Sequence, residues 1–105
     1  MTGNETLEEL QAELQKIEDA EARVLGNYEK VRADLENRIA KHQAEIASLG
    51  LFKFGEKKDL QGRIDELNEE LAHELTKAQE EVRVLRDEEY ELTLKIRRMQ
   101  GDPII

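Results

Sequence analysis

Few residues in this chain have the types and spacing to do chemistry. Glu70 and His73 stand three apart in Glu70-Leu71-Ala72-His73, the Glu-x-x-His spacing that supplies ligands to di-iron sites in helical bundles. That chemistry needs the motif twice and here it occurs once; Leu71 and Leu75 carry the apolar stripe past it, so both groups are expected to point sideways or outward. His42 is the only other histidine, and its place among apolar residues suits a neutral imidazole packed against Ile64. Glu21 and Glu89 interrupt otherwise apolar stripes, where carboxyls act as acid and base, bind metal, or fix the register of paired helices at some expense in stability. There is no cysteine, no phosphate-cradling glycine loop and no nucleophile elbow. No catalytic constellation can be assembled from this set. The expectation is a protein that is not an enzyme and takes no metal or cofactor.

The elements that would carry these residues are helices. Apolar residues recur in steps of three and four at Leu7, Leu10, Leu14, Ile17, Val24, Tyr28, Val31, Leu35, Ile39, Ile46 and Leu49, with His42 a polar exception. They recur again at Leu60, Ile64, Leu67, Leu71, Leu75, Ala78, Val82, Leu85, Leu92, Ile96 and Met99. This is the seam of a coiled coil rather than the broad stripe of a globular helix. Thr6 and Glu9 have the spacing of a capping box at the first start. Gly50 is expected to turn left-handed and end the first helix, with Leu51 packing back, and Gly101-Asp102-Pro103 to end the second. The expected layout is one domain: helix 1 over about 6–49, a joint over about 50–55, helix 2 over about 56–100 and a short tail at 101–105.

The two seams mirror each other about residue 53. Leu10 answers Ile96, Leu14 answers Leu92, Val24 answers Val82, Leu35 answers Leu71 and Ile46 answers Leu60, and the large Tyr28 answers the small Ala78. Both seams hold two four-residue steps in a row, Val31-Leu35-Ile39 and Leu67-Leu71-Leu75, and these stutters coincide. Independent helices have no reason to share such a register. The fold class expected is all-α: a long antiparallel two-helix coiled-coil hairpin, each helix roughly 65 Å long, associating into a four-helix bundle. Gly26-Asn27 could stop helix 1, but the register is unbroken across it and the helix is expected to continue.

The joint, Leu49-Gly50-Leu51-Phe52-Lys53-Phe54-Gly55-Glu56-Lys57-Lys58, holds both phenylalanines of the chain. One reading makes it a structural cap, with Leu51 and one or both phenylalanines closing the seam over Ile46 and Leu60. The other makes it a binding tip, with Leu51, Phe52, Lys53, Phe54, Lys57 and Lys58 offered to a protein, an acidic surface or RNA. The phrase SLGLFKFGEKKDLQGRIDEL, a fifth of the chain, resembles the turn-plus-helix phrase of coiled-coil hairpin proteins of bacteria. That resemblance implies the hairpin and carries over no activity or site residues.

Charge limits the partners. The 105 residues carry 25 acids against 16 Lys and Arg, a net charge of −9. Residues 5–49 and 65–100 each balance to −5, whereas residues 50–64 balance to +2. Direct nucleic-acid binding over the acidic arms is therefore unfavourable. No run is long and apolar enough for a membrane span, and the opening MTGNETLEEL lacks a signal-peptide pattern, so a cytoplasmic place is expected. Val84, Tyr90 and Leu94 on the outer face of helix 2, with Leu25 and the Ile104-Ile105 tail, form a second apolar surface suited to a protein partner or a homodimer. The function these features imply is a protein–protein interaction or assembly module. The alternative is an acidic nucleic-acid mimic that inhibits a nucleic-acid-binding machine, as small phage and mobile-element proteins do. A prefoldin-like holdase fits less well, because the short joint has no room for β-hairpins.

Overall fold

The computed structural model describes residues 6–101. They form a helical hairpin of two long helices, α1 (Leu7–Ser48) and α2 (Phe54–Met99), with no strand among the described residues. Thr6 caps α1: its Oγ1 accepts from the Glu9 N–H at 3.1 Å and its carbonyl from the Leu10 N–H at 3.1 Å. α1 runs unbroken through Gly26-Asn27. α2 carries Arg97 and Arg98 in its last turn, where cations suit the helix dipole, and Gly101 follows with φ 80°, the left-handed stop that glycine tolerates. The expected tail beyond it, including Ile104 and Ile105, lies outside the described residues.

The chain divides into two compact units. In the first, up to Gly26 and from Gln79 on, Leu10, Leu92 and Ile96 make a buried cluster with Leu7, Leu14 and Ile17 packed against it. The start of α1 thus meets the end of α2, the antiparallel pairing that the mirrored seams require. Val82 is buried as well, while Met99 at the seam's end is exposed. In the second unit, Asn27–Ala78, Leu35, Ile39, Ile64 and Ala78 are buried, and Tyr28, Val31, Ile46, Leu60, Leu67 and Leu71 are half-buried. Removing such side chains from water contributes about 1.5–3 kcal/mol each at full burial. Ion pairs such as Glu29–Arg32–Glu36, Asp34–Arg38 and Glu80–Arg83 lace the outer faces at i,i+3 and i,i+4, where solvent screening leaves them a minor contribution.

One stretch of seam differs from expectation. Leu75 is 41% exposed, and Glu74 is half-buried rather than outside the seam. The line from Leu71 to Ala78 spans seven residues, nearly two turns, and passes between positions 74 and 75. The two side chains share the flank, so neither is fully covered.

Candidate functional site

The turn is where structure and expectation part most clearly. α1 closes as Leu49 N–H donates to the Ile46 carbonyl at 3.2 Å and Ser48 Oγ donates to the Glu45 carbonyl at 2.8 Å. Lys53 N–H then donates to the Gly50 carbonyl at 3.3 Å, making Gly50-Leu51-Phe52-Lys53 a four-residue turn with Leu51 and Phe52 at its centre. Lys57 N–H donates to the Lys53 carbonyl at 3.0 Å, so Lys53 is the N-cap of α2. The helix therefore begins at Phe54, two residues earlier than expected, and absorbs Phe54 and Gly55 into its first turn.

This geometry overturns the capping reading. Gly50 is not in the left-handed region expected of it, and Leu51 does not pack back onto the seam. Leu51 is 77% exposed, Phe52 90% and Phe54 70%, whereas Leu49 and Lys57 are half-buried at the seam's end. Three large apolar side chains within four residues stand in solvent, a concentration that marks interaction surfaces.

The charges around them are also placed against local preference. The N-terminal end of a helix carries a partial positive charge that favours anions. Here Lys53, Lys57 and Lys58 gather at that end, and Lys53 has no side-chain acceptor to cap it. Glu56, the one acid in the first turn, reaches Lys53 Nζ only at 3.8 Å. Lys57 Nζ lies 5.8 Å from the centroid of the Phe54 ring, a cation resting over an aromatic face. The turn is thus apolar at its crest and basic on its shoulder.

The other candidates are more ordinary. Glu70 and His73 are both exposed on α2. His42 is half-buried; its Nδ1 lies 3.4 Å from Glu45 Oε1 without hydrogen-bond geometry and finds no other partner. An open groove beside the turn is lined by Glu45, Glu56, Asp59 and Arg63 with Ser48, Leu49 and Leu60, a mixed set with no convergent chemistry. Among the described residues no three His, Cys, Asp or Glu side chains are grouped to hold a metal. Val84 and Tyr90 are exposed and Leu94 is half-buried. Tyr90 and Glu91 a turn before Leu94, and Arg97 and Arg98 a turn after, stand beside it on the helix surface. Val84 and Tyr90 are separated by about 120° around the helix axis, so this face is spread out where the turn is concentrated.

Glu21 and Glu89 give a feature that the spacing did not reveal. The mirrored register puts them in adjacent layers, each facing an apolar residue, yet within the first unit Glu89 lies near enough to perturb the Glu21 carboxyl. Both are half-buried, and Glu21 Oε1 is buried without a partner. The neighbouring Glu89 carboxyl raises the Glu21 pKa above the ordinary carboxylate range. Burial and the Glu89 and Glu18 charges add to the rise, and Arg86 opposes it.

No family model, curated protein or solved structure matches this chain. What can be said of its function rests on the residues and geometry above.

Proposed function

We propose that this protein is a non-catalytic interaction module, an acidic coiled-coil hairpin whose working surface is its turn. The observation that carries this reading is the exposure of Leu51, Phe52 and Phe54 together in one four-residue segment. Apolar side chains left in water at that density contribute almost nothing to the fold, and they gain free energy only when something covers them. The phosphate-mimic alternative has less support. Its acidic faces are partly neutralised by their own Arg32, Arg38 and Arg83 pairs, and its strongest apolar feature would have no role.

A photo-crosslinking phenylalanine analogue at position 52, in the chain expressed in its native host, tests this reading. The expected result is one dominant adduct from position 52 and none from a control at exposed Glu70. Equal labelling from both positions would overturn it. The first unit supports a second, separable contact: exposed Leu25, Val84 and Tyr90 suit pairing of two hairpins into a four-helix homodimer. Sedimentation at tens of micromolar reads this directly, since only the 12.2 kDa species would exclude the homodimer.

A further inference from the structure

The turn's composition says what kind of surface would cover it. Protein docking sites draw their binding energy from Tyr, Trp and Arg and are depleted in Lys. Those residues pair an apolar body with a polar group that a partner can match, and the Arg fork fits carboxylates two-pronged. The turn shares with such sites only the aromatic Phe, and its polar groups are the lysines that they lack. Its exposed apolar groups are Leu51, Phe52 and Phe54, none of which carries a hydrogen-bonding side-chain atom, and its cations are Lys53, Lys57 and Lys58, with no Arg before Arg63. Elsewhere lysines stand singly, at Lys16, Lys30, Lys41, Lys77 and Lys95 among the arginines, whereas three fall within six residues here.

A lipid bilayer interface asks for this combination. It needs apolar groups without directional demands for the region below the headgroups. It also needs compact cations on flexible stems whose ammonium groups remain at the level of lipid phosphates. Lys57, with its ammonium over the Phe54 ring, already holds a charge beside an aromatic face. The Lys53-to-Gly50 hydrogen bond closes the turn on itself, which lowers the number of polar backbone groups that immersion would strand. Charge complementarity selects among lipids: three lysines against Glu56 make the segment cationic in a chain of net charge −9. Screening over about 8 Å at physiological salt lets the nearby lysines dominate at a surface that the crest touches. No helix among the described residues is long and apolar enough to cross a membrane, so the contact is with one leaflet.

We infer that the turn Gly50–Lys53, with Phe54, Lys57 and Lys58, docks on an anionic phospholipid surface, inserting Leu51, Phe52 and Phe54 shallowly among the headgroups. The inference rests on the reading of the turn as the docking surface and names its target. Binding is reversible and needs both components, since neither a small apolar crest nor three lysines suffices alone. Each lysine is worth about fivefold in partitioning, and the set loses most of its effect as salt rises.

The chain has no tryptophan, so Phe52→Trp places a single reporter at the crest and Asn68→Trp a control at an exposed position of α2. Each full-length variant is titrated with vesicles of phosphatidylcholine alone and with phosphatidylcholine containing phosphatidylglycerol. The expected result is a blue-shifted emission from the indole at position 52 only with the anionic vesicles, quenched by brominated acyl chains. The indole at position 68 should show no shift with either. Flotation of the unlabelled protein should fall at least about tenfold in Leu51→Ser/Phe52→Ser/Phe54→Ser. It should fall to the level of neutral vesicles in Lys53→Gln/Lys57→Gln/Lys58→Gln, with circular dichroism unchanged in both. The inference is overturned if wild type does not float with anionic vesicles, if neutral vesicles bind it equally, or if the serine triple variant floats as well as wild type. Lack of flotation together with a protein adduct from position 52 in cells would refute the lipid target while leaving the docking turn standing. Lack of both would remove both.

Discussion

The contrast between Phe52 and Leu35 puts a number on the claim that the turn is not part of the core. Both lie in the second unit, but Leu35 is 2% exposed and Phe52 is 90% exposed. Full burial of a Leu or Phe side chain stabilises by about 1.5–3 kcal/mol. Phe52 realises about a tenth of that, so Phe52→Ser should cost no more than about 0.3 kcal/mol, and serine is at home in a turn. Leu35→Ala removes a covered side chain and leaves a cavity, which costs about 3 kcal/mol. At about 4–8 °C per kcal/mol for a domain of this size, Leu35→Ala should lower Tm by more than about 12 °C and Phe52→Ser by less than about 2 °C. Urea and thermal unfolding followed by far-ultraviolet circular dichroism measure both. Had Phe52 capped the seam, its loss would resemble that of a buried phenylalanine, about 3–5 kcal/mol. A loss beyond about 1.5 kcal/mol in Phe52→Ser, half the cavity cost, would therefore refute the argument and restore the cap.

Other substitutions probe the remaining contacts. Because Glu21 binds its proton more tightly folded than unfolded, its contribution is fully present below the unfolded pKa, near 4.5, and is lost as pH rises through the raised folded value. Stability should accordingly increase on acidification from neutral pH towards 4.5, and Glu21→Gln should raise Tm at neutral pH and flatten that dependence; an unchanged pH profile would refute the raised Glu21 pKa. Gly26 and Gly62 lie inside helices with nothing within 4 Å of an added Cβ, so alanine at each should stabilise by about 0.5–1 kcal/mol, a gain that urea midpoints would resolve. Cysteines at Leu10 and Ile96, in a chain with none, should oxidise within one chain on a dilute non-reducing gel, and bridges only between chains would contradict the hairpin. Lys53→Asp supplies the missing N-cap and an acid at the helix start, so it should stabilise by about 1–2 kcal/mol while weakening whatever the turn binds; a destabilised variant would show that Lys53 serves the fold.

How much of this was legible in the sequence depended on how local the cause was. The hairpin, its antiparallel pairing and the Thr6 cap follow from periodicity and short-range hydrogen bonding, and the structure keeps them. The start of α2 was misplaced by two residues because Phe54-Gly55 has poor helical propensity, which the chain overrides once Lys53 accepts the first helical bond. Whether an apolar turn packs back or stands out depends on its backbone path, to which the hydrophobic pattern is blind; here Gly50 is not left-handed and Leu51, Phe52 and Phe54 stand exposed. The Glu21–Glu89 contact was hidden for a related reason. A one-layer offset across the seam is within reach of two flexible side chains, so register alone does not say which groups meet.

The turn is also where the chain departs from its own rules. At the start of α1 and the end of α2 it follows local physics: Thr6 caps α1 with Glu8 and Glu9 in the first turn, and Arg97 and Arg98 close α2 with Gly101 behind them. At the start of α2 the same chain places a lysine at the N-cap, two more lysines within the next five residues, and three apolar side chains in water. Acids at the lysine positions would stabilise α2 by about 0.3–1 kcal/mol each, and polar residues at 51 and 52 would suit the turn. Along the two long helices departures from local preference are scattered, as at Gly26, Gly62, Glu21 and Glu89, whereas several fall within eight residues here, which points to a reason outside the fold. Cations and apolar groups are both uncomfortable there only while the surface is bare. An anionic, apolar-backed surface relieves both at once, which is why the lysines and the phenylalanines are better explained together than apart.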